Sequence, residues 1–157
     1  MSEEIRKQIV KLILAGSDMD QAAAAARELI KLNDQGVEEV PLRRALETAL
    51  VVCYMRPFTA SSSMAVSSKY IPKDPPDSEL HTWLWERRHK AYAHTDAVAS
   101  GRTASAKILS ATQPGGWEIE FAETWIAIPP EMLEPFIDFF ERQQGRFFND
   151  AADLQRR

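Results

Sequence analysis

Two arginines, a lysine and two histidines lie close together in one short segment of this chain. Residues 86–96 read Glu-Arg-Arg-His-Lys-Ala-Tyr-Ala-His-Thr-Asp, and the charged or titratable set is Arg87, Arg88, His89, Lys90 and His94. A guanidinium group holds a phosphate through forked, permanently charged donors. An imidazole moves a proton near neutral pH. The segment therefore predicts chemistry on a phosphodiester that needs no metal ion.

The spacing of these residues limits how one straight helix could use them. Arg87 and His94 are seven residues apart, which places them within about 20° around a helix and about 10 Å along its axis. Arg88 and His94 are six apart, about 120° around the helix. Two arrangements would bring Arg88 and His94 together: a helix that loosens near His94, or two copies of the chain that face each other across a two-fold axis.

Taken singly, the same residues have plainer explanations. Arg87, His89 and Lys90 fit the solvated face of a charged helix. A lone histidine near a helix end, such as His94, more often interacts with the helix dipole than with a substrate. His81 is expected to be structural or exposed, and packing roles are expected for Trp83 and Trp85.

Composition and charge restrict the class of protein. The chain has 157 residues, of which 45% are apolar and 27% charged, as in an ordinary soluble protein, and we expect a single domain over residues 1–157. The net charge is −4, so a polyanion site must be a local patch or must form between subunits. Cys53 is the only cysteine, which excludes an intramolecular disulfide and suggests a buried thiol.

Several other chemistries and locations are disfavoured. The sequence has no basic and apolar leader, no apolar run of membrane-spanning length, no glycine-rich phosphate loop and no Cys/His zinc set. The cytoplasm is the expected location, with no membrane contact and no cofactor. Glu118, Glu120 and Glu123 leave a carboxylate metal site open, although strand alternation favours a solvent face for the first two.

Helical periodicity dominates the first half of the chain. We predict one helix from Ser2 that ends at Gly16, and a second that is capped by Asp18 or Asp20 and ends near Leu32. A third helix begins near Pro41, buries residues including Leu42, Leu46, Leu50 and Cys53, and ends at Arg56-Pro57. Loop-forming residues fill 59–78, and they are followed by a fourth helix over about 78–95 that carries the charged segment.

The second half begins with a change of period. In residues 103–121 the apolar and polar residues tend to alternate with a period of two. The turn at Gln113-Pro114-Gly115-Gly116 interrupts this pattern, and together they predict a small β-hairpin. Pro129-Pro130-Glu131 opens a last helix with an apolar face that includes Phe136, Phe139, Phe140 and Phe147, and residues 150–157 are expected to fray. The predicted fold is mainly α, with about five helices and a small β-hairpin before the last helix.

Three short motifs resemble the HEPN superfamily. Arg88-His89-Lys90-Ala91-Tyr92-Ala93-His94 is similar to its signature of an arginine, a polar residue, a short spacer and a histidine. Ala93-His94-Thr95-Asp96 resembles an Ala-His-x-Asp form found in members linked to abortive infection. Tyr54-Met55-Arg56-Pro57-Phe58 resembles a Tyr-x-Arg-Pro-Phe stretch of the same branch. The resemblance covers residues 40–96 best.

The resemblance implies an up-and-down helical bundle that forms a homodimer through the motif helices. Many HEPN proteins are metal-independent RNA endonucleases, in which the 2′-hydroxyl attacks its own phosphodiester. His94 would then be general acid or base and Arg88 would neutralise the phosphate. The spacing also fits Arg87 as the working arginine. Supporting or substrate-binding roles would fall to His89, Arg87, Lys90, Tyr92, Asp96 and Arg56.

Biological role and partners follow from the same resemblance. A toxin or phage-defence protein is implied, with RNA as the substrate and an antitoxin as a protein partner. Arg56 is expected to be a buried partner of Asp96 or Glu86. The competing hypothesis is a non-catalytic HEPN-like module that binds a nucleotide, RNA or a partner protein. A metal-dependent hydrolase is a third hypothesis.

Overall fold

The protein is mainly helical in its computed structural model, which describes residues 1–59, 63–89, 102–108, 117–123 and 127–156. Four α-helices occur in this part of the chain: α1 (Glu3–Asp34), α2 (Val40–Met55), α3 (Asp77–Arg87) and α4 (Leu133–Gln155). Strands β1 (Arg102–Ile108) and β2 (Trp117–Glu123) pair antiparallel, with Arg102 opposite Glu123 and Ile108 opposite Trp117. No helix within the described ranges is long and apolar enough to cross a membrane.

Helix α1 is continuous, so the predicted break at Gly16 is wrong. The Ser2 side chain accepts a hydrogen bond from the Ile5 N–H at 3.3 Å, which caps the first turn. Gly16 lies inside the helix, where a Cβ atom would be 2.4 Å from a ring carbon of Phe148 on α4. Glycine is therefore used here for close helix packing and not for termination. The helix ends at Asp34, just before Gly36, whose positive φ of 63° suits a residue without a side chain.

The core lies between α1, α2 and α4. Buried alanines along α1, including Ala15, Ala22 and Ala26, allow the neighbouring helices to approach closely. The predicted phenylalanine face of α4 is confirmed: Phe136, Phe139, Phe140 and Phe147 are all fully buried. Tyr54 of α2 lies 5.2 Å, between ring centroids, from both Phe139 and Phe140. Aromatic packing thus holds α2 against α4.

The end of α4 is ordered by a contact that the sequence did not reveal. The helix runs to Gln155, whereas residues 150–157 were expected to fray. Tyr70 donates a hydrogen bond of 2.7 Å to the Asp150 carboxylate, and Ala151 is buried. A short 3-10 helix, Ser68–Tyr70, supplies this tyrosine. Side-chain contacts from the preceding loop therefore stabilise the last turns of α4.

Helix α2 begins and ends as predicted, at Val40 with Pro41 in its first turn and at Met55 before Arg56-Pro57. Its buried face differs in detail. Leu42 is exposed, and the fully buried residues include Glu47, whose carboxylate accepts a hydrogen bond from the backbone N–H of Ile128 at 3.1 Å. Cys53 is buried, as expected. A buried carboxylate thus joins α2 to the segment that leads into α4.

Candidate functional site

Helix α3 presents the charged segment, and three contacts fix it against the bundle. Asp77 in its first turn accepts a hydrogen bond from Arg142 of α4 at 2.6 Å. Leu84 is fully buried. The Trp83 ring packs 5.4 Å from Phe136 of α4. The predicted helix over 78–95 therefore starts one residue earlier than expected and is anchored along its whole α-helical length.

Two tryptophans contact Arg87 and His89, which follow them by one helical turn. The Arg87 guanidinium lies 4.7 Å above the Trp83 ring, at cation–π distance. The ring centroids of Trp85 and His89 are 4.3 Å apart. Both pairs have the i,i+4 spacing that brings side chains together on a helix. Trp83 is a packing residue, as expected, whereas Trp85 is exposed.

The helix changes geometry at Arg88. Regular α-helix ends at Arg87, and residues 88 and 89 form a π-helical turn. Arg87, Arg88 and His89 are all partly exposed to solvent. Wider turns of this kind often occur at functional sites. The α-helical geometry assumed for the motif from the sequence therefore does not hold at Arg88 and His89.

Part of the predicted site lies outside the described residues. Lys90, Tyr92, His94 and Asp96 belong to this group. The structure brings Arg87, Arg88 and His89 together at the end of α3. The juxtaposition of Arg88 with His94 stays a prediction, as does the catalytic assignment of both.

Arg56 has a different environment from the expected one. Its guanidinium lies 2.7 Å from the Asp18 carboxylate of α1, and about half of the side chain is exposed, so it is not a buried residue. Burial raises the pKa of Asp18, and the charge and hydrogen bond of Arg56 oppose this shift. Burial likewise raises the pKa of the Cys53 thiol, which argues against a reactive thiolate. The Asp18–Arg56 ion pair joins α1 to the end of α2.

His81 is structural, as expected, and it is the buried histidine of α3. Its Nδ1 lies 2.7 Å from the Tyr54 hydroxyl, and Phe58 packs edge-on against the ring at 5.1 Å. Burial lowers the pKa of His81 and raises that of Tyr54. Both groups are thereby kept neutral at physiological pH. This pair positions α3 on α2 two turns before Arg88.

Residues 65–70 of the predicted loop contact parts of the bundle that lie away from the charged segment. Lys11 of α1 donates to the Ala65 carbonyl at 3.4 Å, and Arg146 of α4 donates to the Lys69 carbonyl at 2.8 Å. Trp83, by contrast, lies beside Phe136 near the start of α4. Ten residues of α4 separate Phe136 from Arg146, or about 15 Å. These loop residues therefore cover the opposite end of α4.

The sequence-based prediction did not include four contacts that shape this region: Asp18–Arg56, Tyr54–His81, Trp83–Arg87 and Trp85–His89. The i,i+4 spacing of Trp83 with Arg87 and of Trp85 with His89 was available as a signal. The Asp18–Arg56 and Tyr54–His81 contacts join residues distant in sequence, and no local pattern announces them. No cluster of metal-ligating side chains occurs in the portion of the chain that the structure describes.

Comparison with family models, curated proteins and solved structures gives no match for this chain. The site must therefore be interpreted from its own residues and from the motif resemblance.

Proposed function

We propose that this protein is a metal-independent RNA endonuclease of the HEPN type, with Arg88 and His94 as its catalytic residues. The π-helical turn at Arg88 and His89 carries the proposal. It includes the arginine that opens the arginine–histidine motif, and it leaves the side chains of Arg88 and His89 partly open to solvent.

The packing of α3 supports a phosphate-binding role for its end. Leu84 and the Trp83–Phe136 contact fix the helix, so the position of Arg88 is defined by a rigid element. The Trp83 ring restricts Arg87 and the Trp85 ring restricts His89. A restricted cation loses less conformational entropy when it binds an anion. These features suit recognition of a nucleic-acid backbone by a protein whose net charge is −4.

The proposed reaction is an internal transesterification. The 2′-hydroxyl of the substrate attacks the adjacent phosphorus, and the bond to the 5′-oxygen of the next nucleotide breaks. His94 moves the proton of the attacking or the leaving oxygen, and Arg88 neutralises the charge that builds up on the phosphorane. The products are a cyclic phosphate and a 5′-hydroxyl. DNA lacks the attacking group and would not be cleaved.

The finer architecture belongs to the same proposal. We infer a single HEPN-like domain over residues 1–157, with an up-and-down bundle, a hairpin before the last helix and a homodimer formed through the motif helices. Residues from two subunits would then complete the site around Arg88 and His94. A cytoplasmic toxin or phage-defence role, with an antitoxin as partner, follows from the abortive-infection motif.

Incubation of the purified protein with RNA in EDTA tests the proposal. We expect cleavage by the wild type and its loss in both Arg88→Ala and His94→Ala. Arg87→Ala shows whether Arg87 or Arg88 is the catalytic arginine, because the spacing of either one from His94 fits the motif. Arg156→Ala is the matched control, since this exposed arginine lies at the far end of α4 and pairs with Asp153.

The other outcomes identify the rival functions. Activity that EDTA abolishes would replace the proposal with a metal-dependent hydrolase. RNA or nucleotide binding without cleavage would indicate a non-catalytic module. The exposed Trp85 favours that second function over the metal-dependent one, because an aromatic face can stack on a base without any chemistry.

A further inference from the structure

Helix α1 carries large aliphatic side chains on the side that faces away from the core. Val10, Ile13 and Leu14 have exposed fractions of 50%, 47% and 45%. The opposite side of the same helix buries Leu12, Met19 and other residues in the bundle. A surface helix of a monomer is normally polar on its outer side. Contiguous outward aliphatic residues are instead typical of an interaction surface.

The outward residues of α1 follow a regular spacing. Arg6, Val10, Ile13, Ser17 and Asp20 are all exposed and are separated by four, three, four and three residues. This alternation keeps side chains in one stripe when two helices pack side by side. We call these five residues the α1 stripe. Its small residue, Ser17, leaves space for a larger side chain from an opposing helix.

The charges of the α1 stripe are arranged so that it complements itself. Arg6 lies seven residues before Ile13 and Asp20 lies seven residues after it, each about 10 Å away along the helix. Neither side chain forms an ion pair within the portion of the chain described here. An antiparallel copy related by a two-fold axis near Ile13 would place Arg6 level with Asp20 of the partner subunit. Both ends of the contact would then carry opposite charges, and Val10 would lie close to the level of Ser17 in the partner subunit.

We propose that the α1 stripe is a self-association surface on which a second copy of this chain docks antiparallel. Closed two-fold contacts use the same residues on both subunits, as this charge pattern requires. The contact is distinct from the motif-helix dimer proposed above. It does not depend on nuclease activity, because α1 carries none of the proposed catalytic residues.

A charge exchange tests the orientation directly. Sedimentation over a concentration series should show that Arg6→Asp and Asp20→Arg each weaken association through the α1 stripe about tenfold or more, because each variant sets like charges opposite one another twice. The double variant Arg6→Asp/Asp20→Arg should restore most of the affinity. Rescue by the double exchange is expected only if the two positions meet across subunits.

A second pair of variants tests whether association depends on the α1 stripe or on any exposed apolar side chain. Ile13→Gln should abolish association through the α1 stripe and leave the motif-helix contact, whereas Leu42→Gln, at a residue 41% exposed on α2, should leave both contacts unchanged. Thermal unfolding of each variant confirms that the fold is intact. A wild type that stays monomeric at the highest attainable concentration would overturn the proposal. Self-association unaffected by Ile13→Gln and by both single charge reversals would also overturn it.

Discussion

At the residue scale, the polar groups that matter most are those held in pairs between helices. Tyr54–His81 joins α2 to α3, and Asp18–Arg56 joins α1 to the end of α2. Burial is the largest influence on the pKa of one group in each pair: it lowers the pKa of His81 and raises the pKa of Asp18. Stability and its pH dependence should therefore respond to these pairs.

Acid should destabilise the fold through His81. Burial lowers the pKa of His81 in the folded protein below the ordinary value of 6.5, so the folded state favours the neutral ring. Its contribution to the free energy of unfolding is complete above about pH 6.5 and is lost as the pH falls through the lowered pKa. Urea unfolding at several pH values checks this. His81→Phe should show a weaker pH dependence than the wild type, and equal slopes would contradict the assignment.

Loss of Arg56 should cost more stability than loss of the Asp18 charge. Arg56→Ala leaves a nearly buried carboxylate without its cation, and we expect a loss of about 1–2 kcal/mol, limited because the arginine is half exposed. Asp18→Asn removes the charge whose burial is unfavourable and should cost less. Chemical denaturation of both single variants and the double variant measures their coupling. Additive effects would mean that the pair does not interact in solution.

At the element scale, the helices that the sequence predicted well are those whose ends have local signals. Pro41 and Arg56-Pro57 define α2, and the phenylalanine spacing defines α4. Gly16 misled the prediction because its role depends on Phe148, a residue distant in sequence. The order of the last turns of α4 depends in the same way on Tyr70. Local rules cannot include such tertiary contacts.

The two helical glycines should respond differently to alanine. Gly145→Ala meets no atom within 4 Å, so it should raise the free energy of unfolding by about 0.5–1 kcal/mol through helix propensity. Gly16→Ala should gain less or lose stability, because its Cβ would approach the Phe148 ring at 2.4 Å. In a Phe148→Ala background Gly16→Ala should recover the gain. Denaturant titration of the four variants decides this, and equal effects at both glycines would refute the close contact.

At the scale of the whole molecule, the composition excludes some kinds of binding but does not identify the function. The net charge of −4 excludes binding of RNA by overall attraction. The charged segment and its arginine–histidine spacing were visible in the sequence, and so was the helix that carries it. The π-helical turn at Arg88 and His89 and the exposure of Trp85 were not visible, because local sequence patterns do not specify either property.

Binding of RNA should therefore depend on a few local cations. With a 2′-deoxy analogue that cannot be cleaved, the logarithm of the binding constant should fall with the logarithm of the salt concentration. Arg88→Gln should reduce this slope by about 0.7, the value for one phosphate contact to a single strand. Arg156→Gln, at the far end of α4, should leave the slope unchanged. Fluorescence anisotropy measures both, and a slope unaffected by Arg88→Gln would remove this residue from the phosphate site.

The most direct test of the proposed chemistry is analysis of the product ends formed in EDTA from an RNA with one cleavable ribonucleotide linkage. We expect a 2′,3′-cyclic phosphate and a 5′-hydroxyl, and no cleavage when that single 2′-hydroxyl is replaced by hydrogen. A 5′-phosphate product, or equal cleavage of the deoxy-substituted strand, would contradict it.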